Sequence, residues 1–201
     1  MILDHLAVAS ETLEAAQAHV EEVLGVAMAP GGKHAHFGTH NRLLGLAEGL
    51  YLEAIAIDRA APKPDYPRWF DLDRFTGPPR LANWICRVDD LDAALAGLPE
   101  GAGEPVTLER GDLRWRMAVP DDGILPMQGA FPAVLEWEVP NPPGERLDPS
   151  GCRLLRLEVI HPEAARLAQL LPLTDSRVVF EGGDVALRAV FDTPHGERVL
   201  T

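Results

Sequence analysis

The sequence predicts an α+β fold built on a repeated unit, in which one strand and one helix precede three short strands. The pattern can be followed over residues 1–59, it begins again near Asn83, and a shorter echo of it follows towards the end of the chain. We therefore divide the chain into a first unit 1–59, a connecting segment 60–80, a second unit 81–140 and an extension 141–201. At this length all of them are expected to share one compact domain.

The first unit begins with an apolar strand at residues 2–9 that leads into a helix at residues 10–24. Ser10 is a suitable N-cap, and Gly25 is a suitable stop after the helix. Apolar residues at three- and four-residue spacing give the helix one buried face: Leu13, Ala16, Val20 and Val23. Three strands are predicted to follow, at residues 33–38, 42–46 and 50–57.

The second unit repeats this order, with Asp89 or Asp90 capping its helix. Its later strands are predicted at residues 105–108, 112–119 and 132–139. The extension is expected to hold a partial βαββ unit whose helix has Pro162 at its first position. In the connecting segment, four aromatic residues indicate packing against a surface rather than a free linker: Tyr66, Trp69, Phe70 and Phe75.

Composition excludes several classes of partner. A formal net charge of −13 argues against nucleic acid or anionic membrane, because binding phosphates needs clustered Lys and Arg. No stretch approaches the roughly 20 apolar residues that a membrane-spanning helix needs. Cys86 and Cys152 form no CxxC pair, so free thiols and a cytoplasmic location are expected, with a disulfide between them as the alternative.

Two polar residues interrupt apolar strands of the first unit, His5 in the first strand and Glu53 in the last. A buried carboxylate is costly unless it is paired, so we expect these two side chains to converge. They could hydrogen-bond to each other or bind one divalent metal. Asn83 and Glu136 occupy similar positions in the second unit, and Glu136 is expected to face the same cleft.

Three histidines of the first unit are further candidates. His34 and His36 alternate along a predicted strand and so project from one face, and His40 adjoins Asn41 near a strand start. These side chains could bind a polar substrate or supply a general base. The alternative is that they form a solvated strand face.

Arginines stand out in the second unit of this acidic chain. Arg114 and Arg116 share one face of a predicted strand. If that face lines the cleft, the two guanidinium groups could bind a carboxylate or phosphate in bidentate fashion. If it faces outwards, they pair with surface acids. Trp137 alternates with Glu136 and is expected to pack under a helix.

The repeated unit, with its early histidine and late glutamate, resembles the vicinal oxygen chelate superfamily and, more narrowly, glyoxalase-like domain proteins. The resemblance is carried by residues 3–6, 37–43, 51–53 and 132–137. It implies that the two units form a curved sheet around a shared cleft, with a partial third unit at the C-terminus. It also implies a small-molecule ligand and a homodimer.

In the metal-dependent members of this superfamily, the first and last strands of each unit supply ligands to one divalent cation. The resemblance thus implies His5, Glu53 and Glu136 as ligands of Zn, Ni, Fe, Mn or Mg, with Glu136 and His40 in catalysis. Substrate contacts are assigned to the other polar candidates: His36, Asn41, Asn83, Arg114 and Arg116. Asn83 departs from the pattern, since those members usually have a histidine there and an amide oxygen binds metal more weakly.

The implied function is that of a glyoxalase-like enzyme, a lyase, isomerase or dioxygenase acting on a small molecule with adjacent oxygens. The alternative is a non-catalytic protein that binds or sequesters a small molecule in the same cleft. The two readings differ in the divalent metal, which the enzyme would retain and the binding protein would not.

Overall fold

The computed structural model describes all 201 residues and confirms the α+β class. The first unit consists of β1 (Ile2–Ala9), α1 (Leu13–Leu24), β2 (Ala29–His34), β3 (Thr39–Leu46) and β4 (Tyr51–Ile57). The second consists of β5 (Arg80–Arg87), α2 (Leu91–Leu95), β6 (Glu104–Arg110), β7 (Leu113–Val119) and β8 (Ala133–Trp137). The extension holds α3 (Pro143–Arg146), β9 (Pro149–Ile160), α4 (Ala164–Leu170), β10 (Val178–Glu181), β11 (Ala186–Thr193) and β12 (Gly196–Leu200).

The first two units form one continuous sheet. Their strand orders are β2-β3-β4-β1 and β5-β8-β7-β6, and antiparallel pairing of β1 with β5 joins them. In both units the first strand runs parallel to the last, and such parallel neighbours need the long connection that the helix and the two intervening strands provide. The far ends of this sheet, β2 and β6, also touch, so the sheet curves around its own polar side chains.

The extension has the element order of a further unit but not its topology. β9 pairs with β10 in parallel and with β11 in antiparallel fashion, and β12 lies outside β11. The start of β9 pairs with the end of β3 that β2 leaves unpaired, and this pairing links the extension to the first unit. The extension therefore has as many strands as each of the first two units, where one fewer was predicted. It differs from them in how its strands pair.

Several predicted boundaries move in the structure. The N-cap of α1 is Thr12 and not Ser10, because the Thr12 hydroxyl accepts a hydrogen bond from the Ala15 N–H at 3.2 Å. β2 ends at His34, and residues 35–38 form the turn to β3, where a strand was predicted. The helix of the extension begins after Glu163, not at Pro162.

One hydrophobic core includes residues of all the units and of the connecting segment. The buried face of α1 uses Leu13, Ala16 and Val20 as predicted, and Leu24 in place of the half-buried Val23. Each buried leucine or valine contributes about 1.5–3 kcal/mol relative to exposure. The cysteines are both buried as free thiols. None of the helices combines the length and apolarity that crossing a bilayer demands.

The connecting segment is fixed to both units, as its aromatic residues predicted. Trp69 and Phe70 are buried, and the Arg68 guanidinium donates to the Phe37 carbonyl at 2.8 Å. On the other side, Gly123 of the second unit accepts a hydrogen bond from the Asp71 N–H at 2.9 Å. A Cβ on Gly123 would lie 2.0 Å from the Arg68 carbonyl oxygen, so only glycine permits this approach.

We predict that Gly123→Ala destabilises the protein by about 1–3 kcal/mol more than Gly111→Ala, because overpacking against backbone adds to the strain of a positive φ. Both glycines have positive φ, +74° and +62°, but a Cβ on Gly111 meets nothing within 4 Å. Urea unfolding of the two variants measures the difference. Equal losses would contradict the close approach of the connecting segment to the second unit.

Candidate active site

An irregularity in β1 brings two polar side chains together. The pairing with β5 shifts register between Leu3 and His5, so the intervening Asp4 has no partner across the strands. The Asp4 Oδ1 lies 2.7 Å from the His5 Nδ1, and the Trp137 indole donates to the Asp4 Oδ2 at 3.0 Å. Asp4 thus assigns the proton to Nδ1 of His5 and directs Nε2 away from itself.

Glu53 approaches His5 from β4. Its Oε2 lies 3.7 Å from the His5 Nε2, and Tyr51, two residues earlier on the same strand face, stacks on the imidazole at 4.3 Å. The Oε1 of Glu53 accepts a hydrogen bond from the Asn41 amide at 2.5 Å. Because 3.7 Å is too long for a direct hydrogen bond, one water or one substrate group can bridge Glu53 and His5.

His34 and Arg110 complete the polar cluster. The Arg110 Nη1 lies 2.9 Å from the His34 Nε2 and 3.2 Å from the Asn41 Oδ1. A guanidinium can only donate, so the His34 Nε2 accepts and the His34 Nδ1 donates to the Thr39 hydroxyl at 3.0 Å. Burial, reinforced by the Arg110 charge, holds the pKa of His34 well below its usual value, so His34 is neutral.

Two glycines of β2 allow this cluster to form. A Cβ on Gly31 would lie 2.2 Å from the Asn41 Oδ1, and a Cβ on Gly32 would lie 2.7 Å from the Arg110 Cδ. The Gly32 N–H also donates to the Asn41 Oδ1 at 2.7 Å. Glycine in a strand often marks such a close approach. These contacts bring Arg110, at the end of β6, into the first unit's polar cluster.

The cluster surrounds a cavity of about 30 Å³, enough for one or two waters. Its other walls are aromatic or apolar: Trp69, Phe70, Trp115, Met117, Leu135 and Trp137. The indole Nε1 of Trp69 is buried and has no hydrogen-bond partner in the protein. An unpaired buried donor is costly, so a group bound in the cavity would gain by accepting from it.

Four of the candidates named from sequence meet at this cavity: His5, His34, Asn41 and Glu53. Glu136 does not. Its Oε2 accepts a hydrogen bond from the Leu91 N–H at the start of α2, and it lies 3.6 Å from Arg116. Strand alternation in β8 turns its neighbours Leu135 and Trp137 to the cavity instead, so the expectations for Glu136 and Trp137 are both wrong.

The predicted substrate-binding arginines also lie outside this cavity. Arg116 makes two 2.8 Å hydrogen bonds to Asp92 of α2, on the outer side of the sheet. Arg114 is exposed and lines a separate surface pocket together with His36. Of the two environments considered for these arginines, the structure shows the surface one.

The remaining candidates are separated by the turn and by strand alternation. His36 lies in the β2–β3 turn and stacks on Tyr66, so it does not share a strand face with His34. His40 precedes Asn41 on β3, and alternation points it to the opposite face. Asn83 is on β5, opposite Ala7 of β1, and lines a different pocket.

Comparison with known proteins agrees with this architecture. A sequence model described as a glyoxalase-like domain matches residues 3–174, which is most of the chain. The chain belongs to the glyoxalase-like domain family. No curated protein matches it significantly.

Solved structures resemble this glyoxalase-like protein, and the first of those that follow shares its fold. A hypothetical protein from Staphylococcus aureus matches with a TM-score of 0.59 at 14% identity, over 92% of this chain and 86% of that one. Methylmalonyl-CoA epimerase from Mycobacterium tuberculosis matches with a TM-score of 0.42 at 21% identity, over 67% and 85%. A Streptomyces coelicolor methylmalonyl-CoA epimerase in complex with 2-nitronate-propionyl-CoA gives 0.45 at 14%, over 68% and 97%.

The donor set of this glyoxalase-like chain does not fit a resident divalent metal. Only His5 and Glu53 bring free metal-binding atoms to one point, and no three His, Cys, Asp or Glu side chains are arranged so that they could hold a metal ion. The His34 Nε2 is already engaged by Arg110, whose positive charge would oppose a nearby cation. The expected third ligand, Glu136, is held at α2.

Sequence reasoning missed four residues of the site: Asp4, Tyr51, Trp69 and Arg110. Asp4 adjoins His5, but only the register shift in β1 brings its carboxylate to the imidazole. The Gly31–Gly32 pair was a signal for close approach in β2, although it does not reveal which side chain approaches. Trp69 comes from the connecting segment, where no strand periodicity indicates its direction.

We predict that stability falls as the pH drops below about 6.5, where His34 would be protonated in the unfolded chain but not in the folded one. The unfolded state then binds more protons, so this residue contributes a slope of up to about 1.4 kcal/mol per pH unit. His34→Gln should flatten that slope, as measured by urea unfolding from pH 7.5 to 5. The matched control is His36→Gln, at an exposed position. Identical slopes in wild type and both variants would show that His34 is not held neutral.

Proposed function

We propose that this glyoxalase-like protein is a metal-independent isomerase or lyase that moves a proton at a carbon next to a carbonyl of a small anionic substrate. The observation that carries the proposal is the buried pair of Glu53 and His5, with 3.7 Å between Oε2 and Nε2 at the wall of a narrow cavity. A carboxylate and an imidazole at this separation can act on the same proton or on neighbouring atoms on one face of a substrate.

Each member of the pair has one end fixed and one end free. Asn41 holds Oε1 of Glu53, which leaves Oε2 for the substrate, and Asp4 holds Nδ1 of His5, which leaves Nε2. In the proposed step Glu53 takes the carbon-bound proton, and the electron pair moves to the carbonyl oxygen to form an enolate. For an isomerase, Glu53 then returns that proton to the neighbouring carbon, while Nε2 of His5 accepts the substrate's hydroxyl proton and passes it to the enolate oxygen. For a lyase, a leaving group departs from the enolate with its electron pair and the proton stays on Glu53.

Two donors are placed to stabilise the enolate and bind an anion. The Trp69 N–H has no protein partner, and Arg110 donates to His34 and Asn41 without a carboxylate to neutralise it. Fixed donors in a water-poor site stabilise developing negative charge more strongly than water does. Among the reaction types implied by the sequence, dioxygenase chemistry suits this site least, because iron oxygenases need a facial triad of protein ligands.

A non-catalytic binding protein is the second candidate, and the size of the cavity applies to it as it does to the enzyme. About 30 Å³ holds one or two waters, so any substrate larger than that must displace a wall such as Trp69. If the protein only binds a ligand, the same displacement of a wall residue admits that ligand, and no proton is transferred. The two candidates differ in what Glu53→Gln does to turnover and to binding.

We predict that the wild-type protein exchanges the α-proton of at least one small 2-oxo or 2-hydroxy acid with deuterium from D₂O, followed by proton NMR. Glu53→Gln should slow this exchange by about 100-fold or more, since it removes the general base but keeps the shape of the side chain. Glu109→Gln, on an exposed side chain of β6, is the matched control. Ligand binding without exchange in the wild type would support the second candidate instead.

We also predict that prolonged treatment with a chelator leaves the exchange rate within about twofold of its untreated value. His5 and Glu53 alone have metal-binding atoms free at the cavity, because the third such side chain, His34, accepts from Arg110. Elemental analysis should find well under one divalent ion per chain. Loss of exchange on chelation, restored by a single type of divalent ion, would overturn the metal-independent assignment.

A further inference from the structure

A second pocket lies between the connecting segment, the start of β5, the loop before β8 and the start of β11, and His19 of α1 and Thr201 also line it. Its volume is about 550 Å³, within the range of small-molecule sites and far larger than the His5–Glu53 cavity. Phe70 and Phe75 are its aromatic walls. Neither Glu53 nor His5 lines it, so the proposed function does not use it.

Asn83 is the decisive residue of this second pocket. Its side chain is 4% exposed, and its Oδ1 is buried without a hydrogen-bond partner. The His19 Nε2, which reaches the same pocket from α1, is likewise buried and unpartnered. Native proteins leave few buried polar atoms unpaired, and each one that remains needs an explanation, of which a bound water or a ligand group is one.

Backbone strain is concentrated around the same pocket. Phe70, Asp71 and Gln128 have positive φ, at 59°, 55° and 57°, and all three line it. This conformation is unfavourable for residues with bulky side chains and persists only where surrounding contacts impose it. Such strain tends to cluster at binding sites, which agrees with the unpaired atoms of Asn83 and His19.

The charge of the pocket is positive at its edge. The Arg80 guanidinium lies 3.9 Å above the Phe75 ring and donates to the Thr76 carbonyl, not to a carboxylate. Asp71 is the acidic residue of the lining, and Arg74 holds its carboxylate at 2.7 Å. Arg80 is therefore available to an anionic group that stacks at the Phe75 side.

We propose that this pocket binds a planar heterocycle that has an N–H beside a ring carbonyl and carries an anionic group. The Asn83 carboxamide offers an acceptor and a donor side by side, which matches such an amide edge. Phe70 and Phe75 provide the flat walls, and Arg80 receives the anion. The Cα atoms of Arg80 and Asn83 are three strand residues apart, roughly 10 Å, so ring and anion fit at opposite ends of the ligand.

The test is isothermal titration of the full chain with two probes of this class, uridine 5′-monophosphate and orotate. At least one should bind with a sub-millimolar Kd. Uridine, which lacks the anion, and ribose 5-phosphate, which lacks the ring, should each bind about tenfold more weakly or worse than uridine 5′-monophosphate. Failure of both probes to bind at 5 mM, a concentration chosen as about tenfold above that expectation, would overturn the proposal.

Variants locate the binding. Asn83→Leu should weaken it about tenfold or more and raise Tm by about 3 °C, because it removes an unpaired buried acceptor. Arg80→Gln, at an exposed position, should weaken binding of the anionic probes about fivefold, and Arg59→Gln should not change it. Glu53→Gln should bind the probes like wild type, which separates this pocket from the proposed reaction centre. Undiminished binding in Asn83→Leu would contradict the assignment.

Discussion

The antiparallel pairing of β1 with β5 is the interaction on which the rest of the structure depends. It joins the two units into one sheet, and its register determines which side chains enter the concave side. The irregularity at Asp4 belongs to this same pairing. Without it, Asp4 and His5 would point to opposite faces, and the imidazole would lose the carboxylate that fixes its tautomer.

The polar cluster is stable because each buried group has a partner of the right kind. Asp4 has His5 and Trp137, and Glu53 has Asn41, so neither carboxylate is buried alone. Pairing on this scale offsets a desolvation cost of several kcal/mol per charge. The exception is the Trp69 N–H, which is buried without a partner on a residue that lines the cavity. The other polar groups of the cluster are paired. An unpaired Trp69 N–H among them therefore favours a binding role for the cavity over a purely structural one.

The fold could be predicted further than the site, and the reason is the period of a strand. A repeated pattern of strand, helix and three strands survives errors of a few residues at each boundary. The prediction of a site does not survive such errors, because a shift of one residue along a strand turns the side chain to the opposite face of the sheet. Glu53 was placed correctly since Tyr51 and Glu53 share a face that His5 also uses. Glu136 was placed wrongly by one position, and its neighbours take the cavity.

Other parts of the site could not be predicted from strand patterns at all. Arg110 reaches His34 only because the sheet curves until β6 meets β2, and Gly31 and Gly32 leave space for it. Trp69 arrives from the connecting segment, whose position depends on contacts such as that between Arg68 and Phe37. These are long-range contacts between elements that carry no matching signal in their local sequence.

The two joined units are related by symmetry in their backbones but not in their chemistry. With Leu6 opposite Trp84, His5 and Asn83 stand at equivalent distances along the pair, as the sequence alignment implied. Yet His5 meets Glu53 at one cavity, whereas Asn83 lines another, and Phe70 contributes to the walls of both. The connecting segment thus lies between His5 and Asn83, two positions that the resemblance to the superfamily would bring to one metal. With Phe70 between them, His5 and Asn83 need no shared ion. In our proposals, His5 and Glu53 act on a proton of the substrate, and Asn83 binds a separate ligand.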